Sequence, residues 1–443
     1  MAKEINRRDF MRRAAVATAA TSISMAGIST HKVMGANDRI RLGLIGSGKQ
    51  GVSNMRYFID QGVEVAAVCD VYEPNLAKGL AAAGGKAQTF GDFRHLLDDK
   101  TIDVVINATP DHWHALPTVM ACQAGKDVYS EKPTAVSIEE SKKMVEAARK
   151  YQRVVQCGTW QRSNLHFQKA AEAIQSGVIG KVTFAKTWNY ANIYPEGIGN
   201  PPDSDPPAGL DWDVWLGPAP KVPFNINRFG ILGDRWSTFR YFYDYAGGWV
   251  GDWCVHLLDV VHWAMKVNGP NAVAASGSKV YLKDNSDVPE VLQISFEYPG
   301  FICTYENRLC NSNSMYGKSG GTEFHGTEGT MFVDRSGFQV YPESAKYRDK
   351  DVGRTAAMQM SQVDDGLGMH VSNMLDCMRT RELPASDIEN CHRTSSACFL
   401  GNIALRTKER IVWDAGNQKM VAGSAEARKL LDREYRAPWK LTV

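Results

Sequence analysis

The sequence predicts an α/β protein whose N-terminal part is a doubly wound parallel sheet, and three observations carry that prediction. The apolar run Arg39-Ile40-Arg41-Leu42-Gly43-Leu44-Ile45 leads directly into Gly46-Ser47-Gly48-Lys49-Gln50-Gly51, and a helical pattern through Met55, Phe58 and Ile59 follows. Short apolar strands then alternate with helix-length segments as far as Cys157. Three polar clusters, at 46–51, 109–114 and 131–133, fall where the strands of such a sheet end. Open α/β sheets bind their ligands at those ends.

The glycine loop comes first. A Gly-x-Gly-x-x-Gly pattern is weak evidence in a chain with 39 glycines, but here it sits between a strand and a helix, the context its chemistry requires. Gly46, Gly48 and Gly51 allow a tight turn and close approach of a pyrophosphate, whose charge meets the free N–H groups of the helix start. The second strand, Val63 to Cys69, ends at Asp70. A carboxylate there accepts hydrogen bonds from an adenosine ribose and repels a 2′-phosphate, so the expected cofactor is NAD. The plainer role for Asp70 is a turn residue.

The alternation continues through a strand at 102–110, a helix from Leu116 to Ala124, a strand at Asp127 to Ser130, a helix from Ile138 to Arg149 and a strand at Val154 to Cys157. Thr109 and Pro110, at the end of the 102–110 strand, are assigned to the cofactor as well. Further on, Val291 to Glu297, Ile302 to Asn307 and Gly329 to Val333 read as strands, Asn311 to Gly321 as a polar loop, and His370 to Met378 and Cys391 to Arg406 as helices.

The chain has 443 residues, 44% hydrophobic and 23% charged, with a formal net charge of +2. That length predicts more than one domain, and the small charge gives no reason to expect nucleic acid. The nine cysteines contain no Cys-x-x-Cys pair, which argues against a structural zinc site. At the N-terminus, Asn6-Arg7-Arg8-Asp9-Phe10 precedes a weakly apolar Ala-, Thr- and Ser-rich run. It resembles a twin-arginine signal, with cleavage expected near Met34-Gly35-Ala36. The run is too short and polar for a stable membrane span. The expectation is export by the twin-arginine machinery to the periplasm, or a cytoplasmic enzyme if the leader does not function. An exported nicotinamide enzyme must hold its cofactor tightly and regenerate it without release.

Together the glycine loop, the Asp103-Val104-Val105-Ile106-Asn107-Ala108-Thr109-Pro110-Asp111-His112-Trp113-His114 run, Glu131-Lys132-Pro133 and Gly247-Gly248-Trp249-Val250-Gly251-Asp252-Trp253-Cys254-Val255-His256-Leu257-Leu258-Asp259 resemble the glucose–fructose oxidoreductase / inositol dehydrogenase / rhizopine catabolism (Gfo/Idh/MocA) family. The resemblance implies a Rossmann domain followed by an α/β domain on a large, mostly antiparallel open sheet, which commonly forms a homo-oligomer interface. The expected divisions are a leader at 1–36, an NAD-binding domain at 37–158 and a substrate and oligomerisation domain at 159–443. It also implies that Lys132 contacts both the nicotinamide ribose and a substrate hydroxyl, and that Glu131 and His114 help hold the cofactor.

Oxidising a carbinol needs a nicotinamide, a proton acceptor and a positive group beside the developing alkoxide. Lys132 supplies the cation. Asp252 and His256, four residues apart, share one face of a helix. A carboxylate beside an imidazole favours the imidazolium and fixes its orientation, so His256 is the expected proton acceptor and Asp252 its orienting partner. The alternative is a capping aspartate and a core histidine. His112 and His114 have no third ligand at suitable spacing, so no metal is expected. Gln161, Arg162 and His166, after the last parallel strand, and Arg240, within an aromatic, Pro-rich stretch from Trp188 to Tyr245, are expected to face a sugar or polyol substrate. That stretch suits a carbohydrate pocket and an irregular core equally. Two further functions compete with a dehydrogenase. The first is an NAD-dependent glycosidase or lyase working by transient C3 oxidation, whose relatives carry Tyr-x-x-His where this chain has Trp253. The second is a non-catalytic sugar or nucleotide sensor, against which Lys132, Asp252 and His256 speak.

Overall fold

A computed structural model describes residues 39–233, 235–314, 317–347 and 350–443. The expected leader at 1–36 lies outside the described residues, and Ile40–Val443 forms one compact unit.

Six strands, β1 (Arg41–Ile45), β2 (Glu64–Cys69), β3 (Gln88–Phe90), β4 (Val104–Asn107), β5 (Asp127–Ser130) and β6 (Val155–Cys157), make one sheet in the order β3-β2-β1-β4-β5-β6. Every pairing in it is parallel. The strands are apolar on both faces because both are covered. Leu42, Leu44, Val104 and Ile106 pack with Met55 and Phe58 of the helix Lys49–Asp60 on one side. Ile45, Val105 and Val128 pack with Leu116, Val119 and Met144 on the other. The strand order reverses between β1 and β4, and the crevice at such a switch point is where these sheets take ligands.

The second sheet has ten strands. They are β7 (Val182–Tyr190), β8 (Ala272–Ser278), β9 (Val291–Tyr298), β10 (Phe301–Arg308), β11 (Gly320–Gly326), β12 (Gly329–Asp334), β13 (Gly337–Pro342), β16 (Met358–Ser361), β17 (Ile411–Asp414) and β18 (Lys419–Ala422), with β14 (Ser344–Tyr347) and β15 (Lys350–Gly353) forming a separate ribbon. The order is β16-β13-β12-β11-β7-β10-β9-β8-β17-β18. Only β7 and β10 pair in parallel; the other pairs are antiparallel. Alternate residues such as Leu292, Ile294 and Phe296 point inward onto the helices Leu165–Gln175, Val255–Met265 and Ile388–Thr407. The fold class expected from the sequence is the fold observed.

Trp188-Asn189-Tyr190, read as the start of an irregular stretch, instead ends β7, whose buried Ala185 and Trp188 join the sheet. Beyond it, Trp212, Trp215, Phe224, Phe229, Phe242 and Tyr245 make a small core of their own, with Trp212 and Trp215 stacked 4.7 Å apart. The aromatic stretch thus serves both roles, since Trp215, Phe229 and Phe239 of this core, with Trp236, also line a cavity. Ahead of the helix Val255–Met265, residues Val250–Cys254 form a π-helical turn. Such turns are rare and cluster at functional sites.

Candidate functional site

Two close approaches require glycine in the loop after β1. Gly46 has φ +88°, and a Cβ there would lie 2.7 Å from the carbonyl oxygen of Ala108. A Cβ on Gly51 would lie 1.9 Å from the carbonyl oxygen of Gly46. Gly48 caps the helix Lys49–Asp60, which has no side-chain cap and no acidic residue in its first turn. The first N–H groups of a helix have no partners within it, so an anion can take them. Across the loop, the Asp70 carboxylate accepts hydrogen bonds from the N–H groups of Ser47 (2.8 Å) and Tyr72 (2.9 Å). Burial still pushes the Asp70 pKa up, to about 6.

A cavity of about 320 Å³ opens at the switch point, lined by Gly46, Gly48, Asp70, Thr109, Pro110, His114, Glu131 and Lys132. Gly51 lies behind it and keeps the helix close to the strand. The His114 ring bridges two loops, with Nδ1 2.6 Å from the carbonyl oxygen of Pro133 and Nε2 2.9 Å from that of Thr109. Its polar atoms are therefore engaged within the protein, and it shapes the cavity instead of offering a hydrogen bond to a ligand. Glu131 accepts hydrogen bonds from Asn54 (2.7 Å) and Gln50 (3.3 Å), which tie the 131–133 turn to the glycine-loop helix. Asp111, which the sequence reading left unassigned, also lines the cavity. Its Oδ2 is buried with no partner among the described residues, and burial pushes its pKa up.

Lys132 and Asp252 meet at the end of this cavity. The Lys132 ammonium donates to Asp252 Oδ1 (2.5 Å) and to the Asp252 carbonyl (2.9 Å), and Arg240 Nε lies 3.2 Å from the same Oδ1. Burial alone would raise the Asp252 pKa, but Arg240 and Lys132 outweigh it and hold the carboxyl at about 2. The expectation for His256 needs correcting. Asp252 is turned to Lys132 and Arg240, and His256 makes no hydrogen bond to the described residues; its Nδ1 is buried without a partner. Burial, then Lys132, Arg335 and Arg240, push its pKa well below the usual histidine value. The imidazole is neutral and unengaged. An orienting carboxylate was expected because 252 and 256 are neighbours on a helix, but the competing partners come from distant segments.

The other expected substrate contacts divide. Arg240 lines the cavity. Arg162 does not reach out: its guanidinium pairs with Asp259 at 2.7 and 2.8 Å, and both groups are buried. His166 is also turned inward, with Nε2 3.0 Å from the Asp334 carbonyl. Gln161 is buried, and its Oε1 has no partner among the described residues. Both misplacements share one cause, since charged residues after a strand end can turn into the seam between sheet and helix. Among the described residues no group of three or more His, Cys, Asp or Glu side chains is placed to hold a metal.

Residues 40–159 match the family described as "Oxidoreductase family, NAD-binding Rossmann fold". Residues 163–300 and 348–441 match its companion, "Oxidoreductase family, C-terminal alpha/beta domain". Inositol 2-dehydrogenase of Salmonella paratyphi B is 32% identical over 161 residues, which is 35% of this chain and 48% of that protein. A glycosyl hydrolase family 109 protein of a Shewanella species is 31% identical over 174 residues, 34% of this chain and 38% of that protein. The chain thus matches about half the length, or less, of these relatives. The WlbA dehydrogenase of Bordetella pertussis, solved with NADH and UDP-GlcNAcA, has a TM-score of 0.62 and 18% identity over 85% of this chain and 99% of that one; the likeness is one of fold.

Proposed function

Because the chain belongs to the Gfo/Idh/MocA oxidoreductase family, we propose that it transfers a hydride between NAD and a secondary hydroxyl or carbonyl of a sugar or polyol. The observation that carries this reading is the meeting of Lys132, Asp252 and a neutral, unengaged His256 beside the switch-point cavity. When bound, NAD supplies the hydride acceptor or donor. The residues present fit it: the bare helix start after Gly48 suits the pyrophosphate, and Asp70 suits the ribose hydroxyls. The Lys132 ammonium, held by Asp252, stabilises negative charge growing on the substrate oxygen. His256 takes the hydroxyl proton onto its neutral ring, and the cations that keep it neutral also acidify the alcohol. The glycosidase reading gains nothing from the geometry, because the residue at 253 is a tryptophan and its ring packs against His256 with centroids 6.0 Å apart. The chemistry of Lys132 and His256 likewise favours an enzyme over a sensor.

We also propose that the Arg7-Arg8 leader exports the folded, cofactor-loaded protein, and one preparation tests both readings. Protein recovered from the periplasmic fraction, undialysed, should carry nicotinamide, and the reduced-nicotinamide absorbance should rise or bleach with one member of a sugar and polyol panel. Protein free of nicotinamide and with no affinity for added NAD would overturn the enzymatic reading. Recovery only from the cytoplasm would overturn the export.

Asp70 supplies a separate test of cofactor choice. Its ionised form accepts the ribose hydroxyls, so NAD affinity should be flat above pH ~7 and weaken ~10-fold per pH unit below its pKa of about 6. Asp70→Asn should flatten that profile and reduce the preference for NAD over NADP by ~10-fold or more. An unchanged preference would remove Asp70 from the ribose site.

A further inference from the structure

Arg335 is far from the cofactor loop in sequence, yet the turn between β12 and β13 sets its guanidinium 4.5 Å from the ring centre of Trp160 and 4.7 Å from that of Trp253. Trp160 follows the carboxyl end of β6, and Trp253 lies between Asp252 and His256 in the chain. The two rings therefore hold Arg335 close enough to Asp252 and His256 for its field to reach both.

What is missing around Arg335 is a hydrogen-bond acceptor. Its Nε is buried and has no hydrogen-bond partner among the described residues. Arg162 and Arg433, by contrast, are matched by Asp259 and Glu140. The neighbouring Asp334 carboxylate is taken by Lys318 at 2.9 Å and by the N–H of Ser336 at 2.8 Å. Around His256 the cations Lys132, Arg240 and Arg335 face the carboxyls of Asp252, Glu131 and Asp111, and Asp111 is buried where its charged form is disfavoured. A guanidinium withdrawn from water without a partner is costly. The cost is recovered when a ligand brings an acceptor.

We propose that Arg335 receives a carboxylate on the substrate, which makes the substrate a sugar acid rather than a neutral sugar or polyol. Stacking between two aromatic rings satisfies the faces of the guanidinium and leaves its N–H edge free, and that edge matches a planar carboxylate with two parallel hydrogen bonds. Trp160 and Trp253 are positioning residues for this contact. The assignment rests on the dehydrogenase reading and narrows its substrate class.

The test is calorimetric titration of the full-length, NAD-loaded protein with D-glucuronate, D-glucose and glucose 6-phosphate. Glucuronate should bind at least ~10-fold more tightly than glucose. Arg335→Met should abolish that preference while leaving glucose and NAD affinities unchanged, and Arg335→Lys, which keeps the charge, should retain part of it. Equal binding of glucuronate and glucose, survival of the preference in R335M, or tighter binding of glucose 6-phosphate would each overturn the carboxylate assignment. The two readings separate cleanly. A preference sensitive to Arg335 in a protein that never reduces NAD keeps the carboxylate site and removes the dehydrogenase. Reduction of NAD by neutral sugars as efficiently as by uronates does the reverse.

Discussion

Replacing Lys132 with methionine should lower kcat by ~10³-fold, equivalent to about 4 kcal/mol of transition-state stabilisation. The ammonium joins the two halves of the site, reaching from the turn after β5 to both the carboxylate and the carbonyl of Asp252. Without it, the developing oxyanion loses its nearest charge, and Asp252 is left to Arg240 alone. NAD affinity should change by less than ~10-fold, because the glycine loop and Asp70 are untouched; a loss confined to kcat marks an interaction made in the transition state. Lys132→Arg should recover only part of the rate, since a planar guanidinium is not a point charge on a flexible stem. His256→Asn should cost ~10²-fold or more, and in the oxidation direction the wild-type rate should stay flat from neutral to mildly acidic pH, because the imidazole is already neutral. A Lys132→Met enzyme within ~5-fold of wild type would remove Lys132 from the chemistry, because a true oxyanion partner contributes far more.

What could be read before the structure follows the range of the forces involved. The glycine loop, the parallel strands and the cavity-lining residues were legible because each depends on neighbours a few residues away: a turn, an apolar run, a strand end. The position of Lys132 against Asp252 was legible only in part, since the sequence shows both residues but not which atom of which chain segment they face. The protonation state of His256 was misread for that reason. Its nearest carboxylate in sequence is claimed by Lys132 and Arg240, and one of the cations acting on it, Arg335, enters from a strand turn that no local pattern ties to the site. Arg162 and His166 failed in the opposite direction: the segment was placed correctly, but its side chains turn into the seam where Asp259 and the Asp334 carbonyl wait. Strand β7 was missed because Trp188 and Tyr190 border a proline-rich loop, and its pairing with β10 and β11 is decided more than a hundred residues later.

The buried histidines should make the protein acid-labile well above the usual carboxylate range. His112 and His262 are held down to about 3, and His370 and His392 to about 4, with burial the main cause in each. His256 is also held well below its ordinary value, chiefly by burial. For each, the unfolded chain takes up a proton near pH 6.5 while the folded chain does not, so the unfolded state binds more protons and stability falls as pH falls. Their contribution is fully present above pH ~7 and is lost below ~6.5, at up to ~1.4 kcal/mol per group and pH unit. Asp70 and Asp111 act in the opposite sense, because burial raises both and the folded state takes their protons first. Asp252, held at about 2, adds its own loss only below the normal aspartate pKa. Burial lowers His166 and raises Asp287 as well, so three carboxyls offset part of six imidazoles, leaving a net loss on the order of 5 kcal/mol between pH 7 and 5.5, comparable with the whole stability of many proteins. Thermal unfolding followed by circular dichroism should therefore show Tm dropping steeply below pH 6.5, with cooperative loss of structure near pH ~5. His392→Gln, which removes one of the neutral imidazoles from a site away from the cavity, should make that descent shallower. A Tm that stays level down to pH 4.5 would mean these histidines are hydrated or charged in the folded protein, and with them the neutral state assigned to His256 would fall.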